Sequence, residues 1–241
     1  WHDKVVVGTT DTLMEQPVLE PVALEKEVEF ILRTAGRYLS KQPAREDVMS
    51  VFAGLRPLAA PKKEGQSTKE ISRSHKIIVS PHKLITITGG KWTTYRKMAE
   101  DTVDKSMELG LVPHRECVTE RYKIHGYRPN PDLTNHLYVY GSDRNAIEDL
   151  MKENPEMAQK LSPKYDYTVA EVVWAVRQEM ARTVEDVLAR RVRLLFLDAR
   201  VAVDVAPQVA RVMAAELGKD QKWIDRQVKA FTEVAENFVL K

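Results

Sequence analysis

Leu84-Ile85-Thr86-Ile87-Thr88-Gly89-Gly90-Lys91-Trp92-Thr93-Thr94-Tyr95-Arg96-Lys97-Met98-Ala99 is the stretch from which the rest of the chain is read. A β-branched apolar run stops at two glycines. It then passes into a segment whose Tyr95, Met98, Ala99, Thr102, Val103 and Met107 recur at helical spacing, which predicts strand, tight turn and helix. A junction of this kind is suited to an anion or a cofactor. Glycines let the backbone approach a ligand, and the first helical turn presents unpaired N–H groups and a partial positive charge. Lys91, Thr93 and Thr94 would add donors at the same place. A bare Gly-Gly-Lys describes a plain β–α turn with an exposed lysine equally well.

Working outward, Ile71 to Val79 and Lys83 to Thr88 read as a hairpin around Ser80-Pro81-His82, preceded by a hydrophilic loop over 61–70. Further upstream, Val5-Val6-Val7 reads as a short buried strand ending at Gly8-Thr9-Thr10-Asp11. A helix is expected from about Leu24 to Leu39, with Leu24, Val28, Ile31, Leu32, Ala35 and Leu39 on one face. A second strand is expected from Asp47 to Ala53, ending in Gly54-Leu55-Arg56-Pro57-Leu58, where Pro57 biases Arg56 towards an extended backbone.

Downstream, periodicity fades over 110–140, which reads as a linker. Short helices are expected between Asp143 and Leu161. Thr168 then caps a long helix carrying Val169, Val172, Val173, Val176, Met180, Val184, Val187 and Leu188 on its apolar face. Another helix runs from about Ala199 to Leu217 and ends at Gly218, and a last one covers Gln221 to Val239. The expected class is therefore α+β: a partial mixed β-sheet with helices over 1–112, a linker over 113–140, and an all-α C-terminal bundle over 141–241.

Composition narrows the function classes. With 43% apolar residues in a chain of 241, a sizeable core is available. Lysines and arginines (37) nearly balance aspartates and glutamates (35), so there is no general argument for nucleic-acid binding and any basic site must be local. Cys117 is the single cysteine, which excludes an internal disulfide framework and fits a reducing compartment. The most apolar stretch, Leu194 to Val205, is interrupted by Asp198, Arg200 and Asp204 and is not expected to cross a bilayer. The chain starts at Trp1-His2-Asp3-Lys4 without methionine, and a fragment of a longer protein is expected. The six histidines lack metal-ligand spacing, so no metal site is expected, and His75 and His82 read as solvated or locally bonded imidazoles. Neither a Gly-x-Ser-x-Gly elbow nor a Gly-x-Gly-x-x-Gly fingerprint occurs.

Five segments taken in order resemble the FAD-dependent glycerol-3-phosphate dehydrogenases: Gly8 to Asp11, Gly54 to Leu58, Ser72-Arg73, Gly89 to Arg96, and Arg182 to Leu194. Trp92 looks more like the mitochondrial-type members than many bacterial ones. The resemblance implies oxidation of sn-glycerol 3-phosphate to dihydroxyacetone phosphate, with FAD reduced and electrons passed to quinone. It also implies peripheral or monotopic attachment to a membrane surface, on the cytoplasmic side of the cell membrane or at the mitochondrial inner membrane. Arg56, Arg73 and Lys91 would then bind the substrate's phosphate and oxygen end, with Lys91 also catalytic through the negative charge it favours. Gly89, Gly90, Trp92, Thr93 and Thr94 would bring donors to the flavin ring. Since the dinucleotide fingerprint is missing, this stretch alone is not expected to hold FAD or to turn over, and the proton acceptor is expected in the upstream segment. The basic cluster Arg190, Arg191 and Arg193 reads either as charge pairing with Glu185, Asp186 and Asp198 or as contact with anionic lipid or an electron-transfer partner. Two rivals stand beside this reading: a glycerol-3-phosphate oxidase that uses oxygen, and a non-catalytic helical interaction module.

Overall fold

The structure, a computed structural model, describes residues 1–55 and 74–240. The fold is α+β and separates into two compact units, one of residues 1–12, 18–54 and 125–241, the other of 13–17 and 55–124. Chain order does not set these units, because residues 18–54 group with the helical C-terminal part.

The smaller unit holds the hairpin. Strand β1 (His75–Val79) pairs antiparallel with β2 (Ile85–Gly89), placing His75 opposite Gly89, Ile77 opposite Ile87 and Val79 opposite Ile85. The connection is closed by Ser80, whose carbonyl accepts from the Lys83 N–H at 2.9 Å and whose hydroxyl accepts from the Leu84 N–H at 3.0 Å. After the two glycines comes a 3-10 turn, Trp92–Thr94, and then helix α2 (Tyr95–Glu108). The exposed flank of α2 carries ion pairs one turn apart: Lys97 with Glu100 and Asp101, and Lys105 with Glu108.

The larger unit is mainly helical. Its early part is helix α1 (Glu25–Ala35), which buries Val28 and stops at Gly36. The expected extension to Leu39 is absent because the following loop folds back: Gln42 donates to the Leu32 carbonyl at 3.1 Å, and its amide oxygen would lie 1.7 Å from a β-carbon at position 36. A side chain at position 36 would have to displace the end of Gln42. Helix α3 (Arg144–Glu153) follows a coil over 111–135. A short hairpin of β3 (Lys160–Ser162) and β4 (Tyr165–Thr168) then precedes helix α4 (Val169–Gln178). A π-helical turn (Asp186–Arg191), a single-turn helix α5 (Leu194–Leu197), helix α6 (Ala199–Leu217) and helix α7 (Gln221–Ala235) complete it. Their apolar faces form one core that includes Val172, Val173, Val187, Leu188, Leu194, Leu195, Val209, Met213 and Phe231. Asp198 and Asp220 cap α6 and α7 by accepting from Val201 and Trp223, and Gly218 ends α6 in the left-handed region (φ 62°).

Four expectations are corrected. Val5, Val6 and Val7 form no strand and are exposed, since no strand lies beside them to pair with among the described residues. The stretch 48–53 is extended but belongs to no sheet. Its backbone is satisfied by the helical part: Ala199 N–H donates to the Met49 carbonyl at 3.1 Å and Val51 N–H donates to the Phe238 carbonyl at 2.9 Å. The bundle is not all-α, because β3 and β4 stand within it. The long helix from Thr168 is broken after Gln178, with Met180 left-handed at φ 58°. Apolar spacing continues through the break because both pieces face the same core, so periodicity carried no sign of it.

Candidate functional site at the Gly-Gly turn

The ladder of β1 and β2 fixes the strand up to Gly89, and there the chain reverses into the helix through two left-handed glycines, Gly89 at φ 75° and Gly90 at φ 80°. Any L-residue would be strained at either position. Space at Gly90 is also closed: a β-carbon there would lie 2.6 Å from the Met98 sulfur and 3.1 Å from Cβ of His75. Lys91 is extended (φ −131°, ψ 148°) and exposed, and its ammonium makes no hydrogen bond or ion pair among the described residues. The N–H groups of Trp92 and Thr93 open the helical run and have no acceptor within it. Thr94 is spent on the turn itself, because its N–H and its hydroxyl both donate to the Lys91 carbonyl, at 3.0 and 2.9 Å. The Trp92 ring is 87% exposed and leans on Tyr95 with centroids 5.8 Å apart. The turn therefore offers two backbone donors, an ammonium with no partner among the described residues, and the positive end of α2. This is the donor set that an anionic oxygen or an electron-rich ring edge calls for.

Lys91, Gly89, Gly90, Trp92, Thr93 and Thr94 are thus brought together in one turn. Arg56 and Arg73 lie outside the described residues.

Sequence reading missed what stands behind the turn. His75 Nε2 and Asp101 Oδ2 are 2.9 Å apart, joining β1 to α2, and Lys97 holds the other carboxylate oxygen at 3.0 Å. The hydrogen bond from Lys97, together with that from His75, keeps the Asp101 carboxyl below the usual range against the opposing effect of burial. Glu100, gripped by Lys97 and Arg96, is drawn down to about 2. Arg96 is held in turn by the Thr119 hydroxyl at 3.1 Å, beside the exposed Cys117. His75, expected to be solvated or locally bonded, is bonded across to another element. Its partner was hidden because the two residues are 26 positions apart and each is ordinary in its own element.

The larger unit contains a second polar cluster. Glu171, 1% exposed, accepts from the Thr168 N–H at 2.7 Å and is bonded by His136 Nε2 and the Tyr140 hydroxyl, each at 3.1 Å. Burial first, and then the nearby Glu171 charge, push the Tyr140 phenol well above its ordinary value. The cluster is closed on itself: Glu171 completes a capping box on α4 and ties the 136–143 segment to it. The basic cluster also has a structural explanation. Arg190 pairs with Glu185 at 2.5 Å and Asp186 at 3.3 Å, Arg191 donates to the carbonyls of Glu179 and Asp186, and Arg193 donates to the Arg191 carbonyl. Asp198, expected among their partners, caps α6 instead and accepts from the Tyr165 hydroxyl.

Compared with known proteins, residues 83–224 match the family described as the C-terminal domain of alpha-glycerophosphate oxidase, over half of the chain. Among curated relatives, a probable mitochondrial glycerol-3-phosphate dehydrogenase of Caenorhabditis elegans is 40% identical, over 99% of this chain and 35% of its own length. The mitochondrial glycerol-3-phosphate dehydrogenase of Saccharomyces cerevisiae is 32% identical over 99% of this chain and 43% of its own length. Among solved structures, the glycerol-3-phosphate dehydrogenase of Bacillus halodurans complexed with FAD superposes with a TM-score of 0.75 at 26% identity, covering 97% of this chain and 49% of that one. The chain thus spans well under half the length of the curated relatives cited.

Proposed function

This chain belongs to the family of the alpha-glycerophosphate oxidase C-terminal domain, and on that premise we propose that the full-length protein carrying it oxidises sn-glycerol 3-phosphate to dihydroxyacetone phosphate. FAD is the proposed first acceptor, and a membrane quinone the second. The carrying observation is the turn itself, in which two left-handed glycines set Lys91, whose ammonium has no partner among the described residues, beside the open N–H groups of Trp92 and Thr93.

The residues present fit a flavin. A reduced isoalloxazine carries negative charge along one edge, and backbone donors at a helix start favour it without bringing a mobile counter-charge. When bound, FAD supplies the redox chemistry by accepting the hydride that leaves C2 of the substrate. The chain's own part is to bind and to stabilise charge. Lys91 supplies a point charge to the phosphate and oxygen end, and Arg56 and Arg73 are proposed to join it, since arginine binds two phosphate oxygens at once. As the C2 hydroxyl loses its proton, the Lys91 ammonium favours the negative charge that develops on the oxygen. No base is assigned within this chain.

In the same reading, the part of 1–112 that carries the Gly-Gly turn closes the substrate part of the larger protein, 113–140 link, and 141–241, with residues 18–54 grouped to them, cap it. Peripheral attachment to a membrane is proposed, at the mitochondrial inner membrane in a eukaryote or the cytoplasmic face of a bacterial cell membrane. Among the described residues no helix is long and apolar enough to cross one.

The test is the full-length, flavin-loaded protein assayed with sn-glycerol 3-phosphate and a quinone-like dye, beside Lys91→Ala. The expected result is a loss of about 10²–10³-fold in turnover, the usual cost of removing one charge-stabilising donor. Undiminished turnover in the variant overturns the reading. One observation favours an oxidase as second reading, the name of the matched family. Peroxide released in step with substrate consumed, without dye, identifies that case.

A further inference from the structure

Two consecutive glycines make a turn that can be built and that, left to itself, swivels. Neither glycine has a side chain of its own to anchor the junction of β2 and α2, so it is the hinge at which the angle between strand and helix is set by contacts made elsewhere. The strand side of the hinge is fixed by five cross-strand partners, with His75 opposite Gly89 at the last of them. The helix side needs its own anchor. It has one in Asp101, whose carboxylate meets His75 Nε2 at 2.9 Å and Lys97 at 3.0 Å.

We propose that His75 and Asp101 are positioning residues for the Gly89-Gly90-Lys91 turn, a strut from β1 to α2 that sets where Lys91 and the Trp92 and Thr93 N–H groups point. The inference rests on the reading of that turn as the substrate and flavin site.

The lever arm gives the strut its importance. Asp101 lies nine residues beyond Trp92, about 14 Å along a helix at about 1.5 Å per residue. A tilt of roughly 5° about the strut therefore shifts the helix start by about 1 Å, and a misplacement of about 1 Å at a reacting centre costs on the order of 10²-fold in rate. The packing is consistent with a fixed angle, since Gly90 lies against both Met98 of α2 and His75 of β1. Neither strut residue is free to drift: the side chains are 22% and 30% exposed, and Lys97 occupies the second carboxylate oxygen. Because His75 uses Nε2, glutamine, whose amide nitrogen reaches a similar place, is the conservative replacement and leucine the disruptive one.

The experiment uses the full-length, flavin-loaded protein and its His75→Leu, His75→Gln, Asp101→Ala and Lys91→Ala variants. Four quantities are read: kcat, KM for sn-glycerol 3-phosphate, the thermal midpoint, and hydrogen exchange of the amides at 89–94. His75→Leu and Asp101→Ala are expected to lower kcat by about 30–100-fold with KM changed less than about threefold. Amide exchange at the turn should be faster in both, and His75→Gln should return both readouts to near wild type. Asp101→Ala places the best helix former on α2, so it tests the strut even if His75→Leu does not fold. The proposal is overturned if kcat stays within about threefold of wild type in Asp101→Ala while Lys91→Ala collapses. It is also overturned if kcat falls with turn exchange unchanged, or if His75→Gln fails to restore a folded protein's rate. Normal turnover in Lys91→Ala overturns the substrate-site reading itself and this inference with it.

Discussion

At Gly90 a backbone at φ 80° coincides with a close neighbour, the flexible end of Met98, which would have to shift to admit a β-carbon. Gly90→Ala is therefore expected to cost about 1–3 kcal/mol from backbone strain alone, read as a lower unfolding midpoint. Gly8, around which 4 Å is empty and whose φ is not left-handed, makes the natural control. Tyr140 carries a pH prediction. Its phenol is half-buried and held neutral, with a folded pKa above the unfolded value of about 10. A raised pKa means that its contribution is complete below about pH 10 and drains away as pH rises from there through the folded value. Tyr140→Phe should flatten that alkaline limb in urea titrations. It should also lose about 1.5–3 kcal/mol at neutral pH, the worth of a hydrogen bond to the Glu171 carboxylate. Of these residues the glycines were legible, because a Gly-Gly between a β-branched run and a helical period has few other uses. His75, Asp101 and Glu171 were not, since each acts through a partner that sequence spacing does not bring near.

Among the elements, strand β2, the turn and α2 follow directly from the change of period at Gly89, α6 from the glycine that ends it, and α7 from its apolar stripe. The region after Gln178 shows where this method stops. Arg190, Arg191 and Arg193 read as a basic cluster, yet Arg191 donates to the carbonyls of Glu179 and Asp186, and Arg182, earlier in the same segment, to those of Val176 and Ala181. Guanidinium groups thus satisfy the carbonyls that the end of α4 and the π-helical turn leave open, which allows the chain to break and still keep its apolar face on the core. Charge counting records these arginines as surface, whereas geometry makes two of them caps. The distinction is measurable. Arg191→Lys should cost about 1–2 kcal/mol, because one ammonium cannot span two divergent carbonyls as a planar fork does. That corresponds to a midpoint lower by roughly 2–8 °C in a protein of this size. Arg190→Ala, which removes only half-exposed ion pairs to Glu185 and Asp186, should cost less than about 1 kcal/mol.

For the molecule as a whole, the arrangement least legible in the sequence is the joining of residues 18–54 to the helical part across a long stretch of chain. A β-branched, extended segment reads as a strand whatever it pairs with, and here the partner is a set of helix ends. Met49 accepts from the first N–H of α6, one of the donors a helix leaves unpaired, and Arg200 reaches the Val48 carbonyl at 3.2 Å. The Ser50 hydroxyl donates to the Leu195 carbonyl at 2.8 Å, and Phe52 meets Phe196 edge to face at 5.1 Å, with Phe238 completing the aromatic row at 5.4 Å. The segment is therefore strapped to the helix ends by backbone, side-chain and aromatic contacts, and is expected to stabilise the bundle. Residues 125–241 expressed alone should unfold at a clearly lower temperature than the whole chain, bind a hydrophobic dye at the uncovered Phe196, and lose exchange protection at the Ala199 amide. Phe52→Ala within the intact chain should reproduce a fraction of this, about 1–2 kcal/mol, as a half-exposed ring giving up one aromatic contact. An isolated 125–241 that melts with the whole chain would mean that the bundle's caps and core suffice, and that the strap merely rests on a surface already complete.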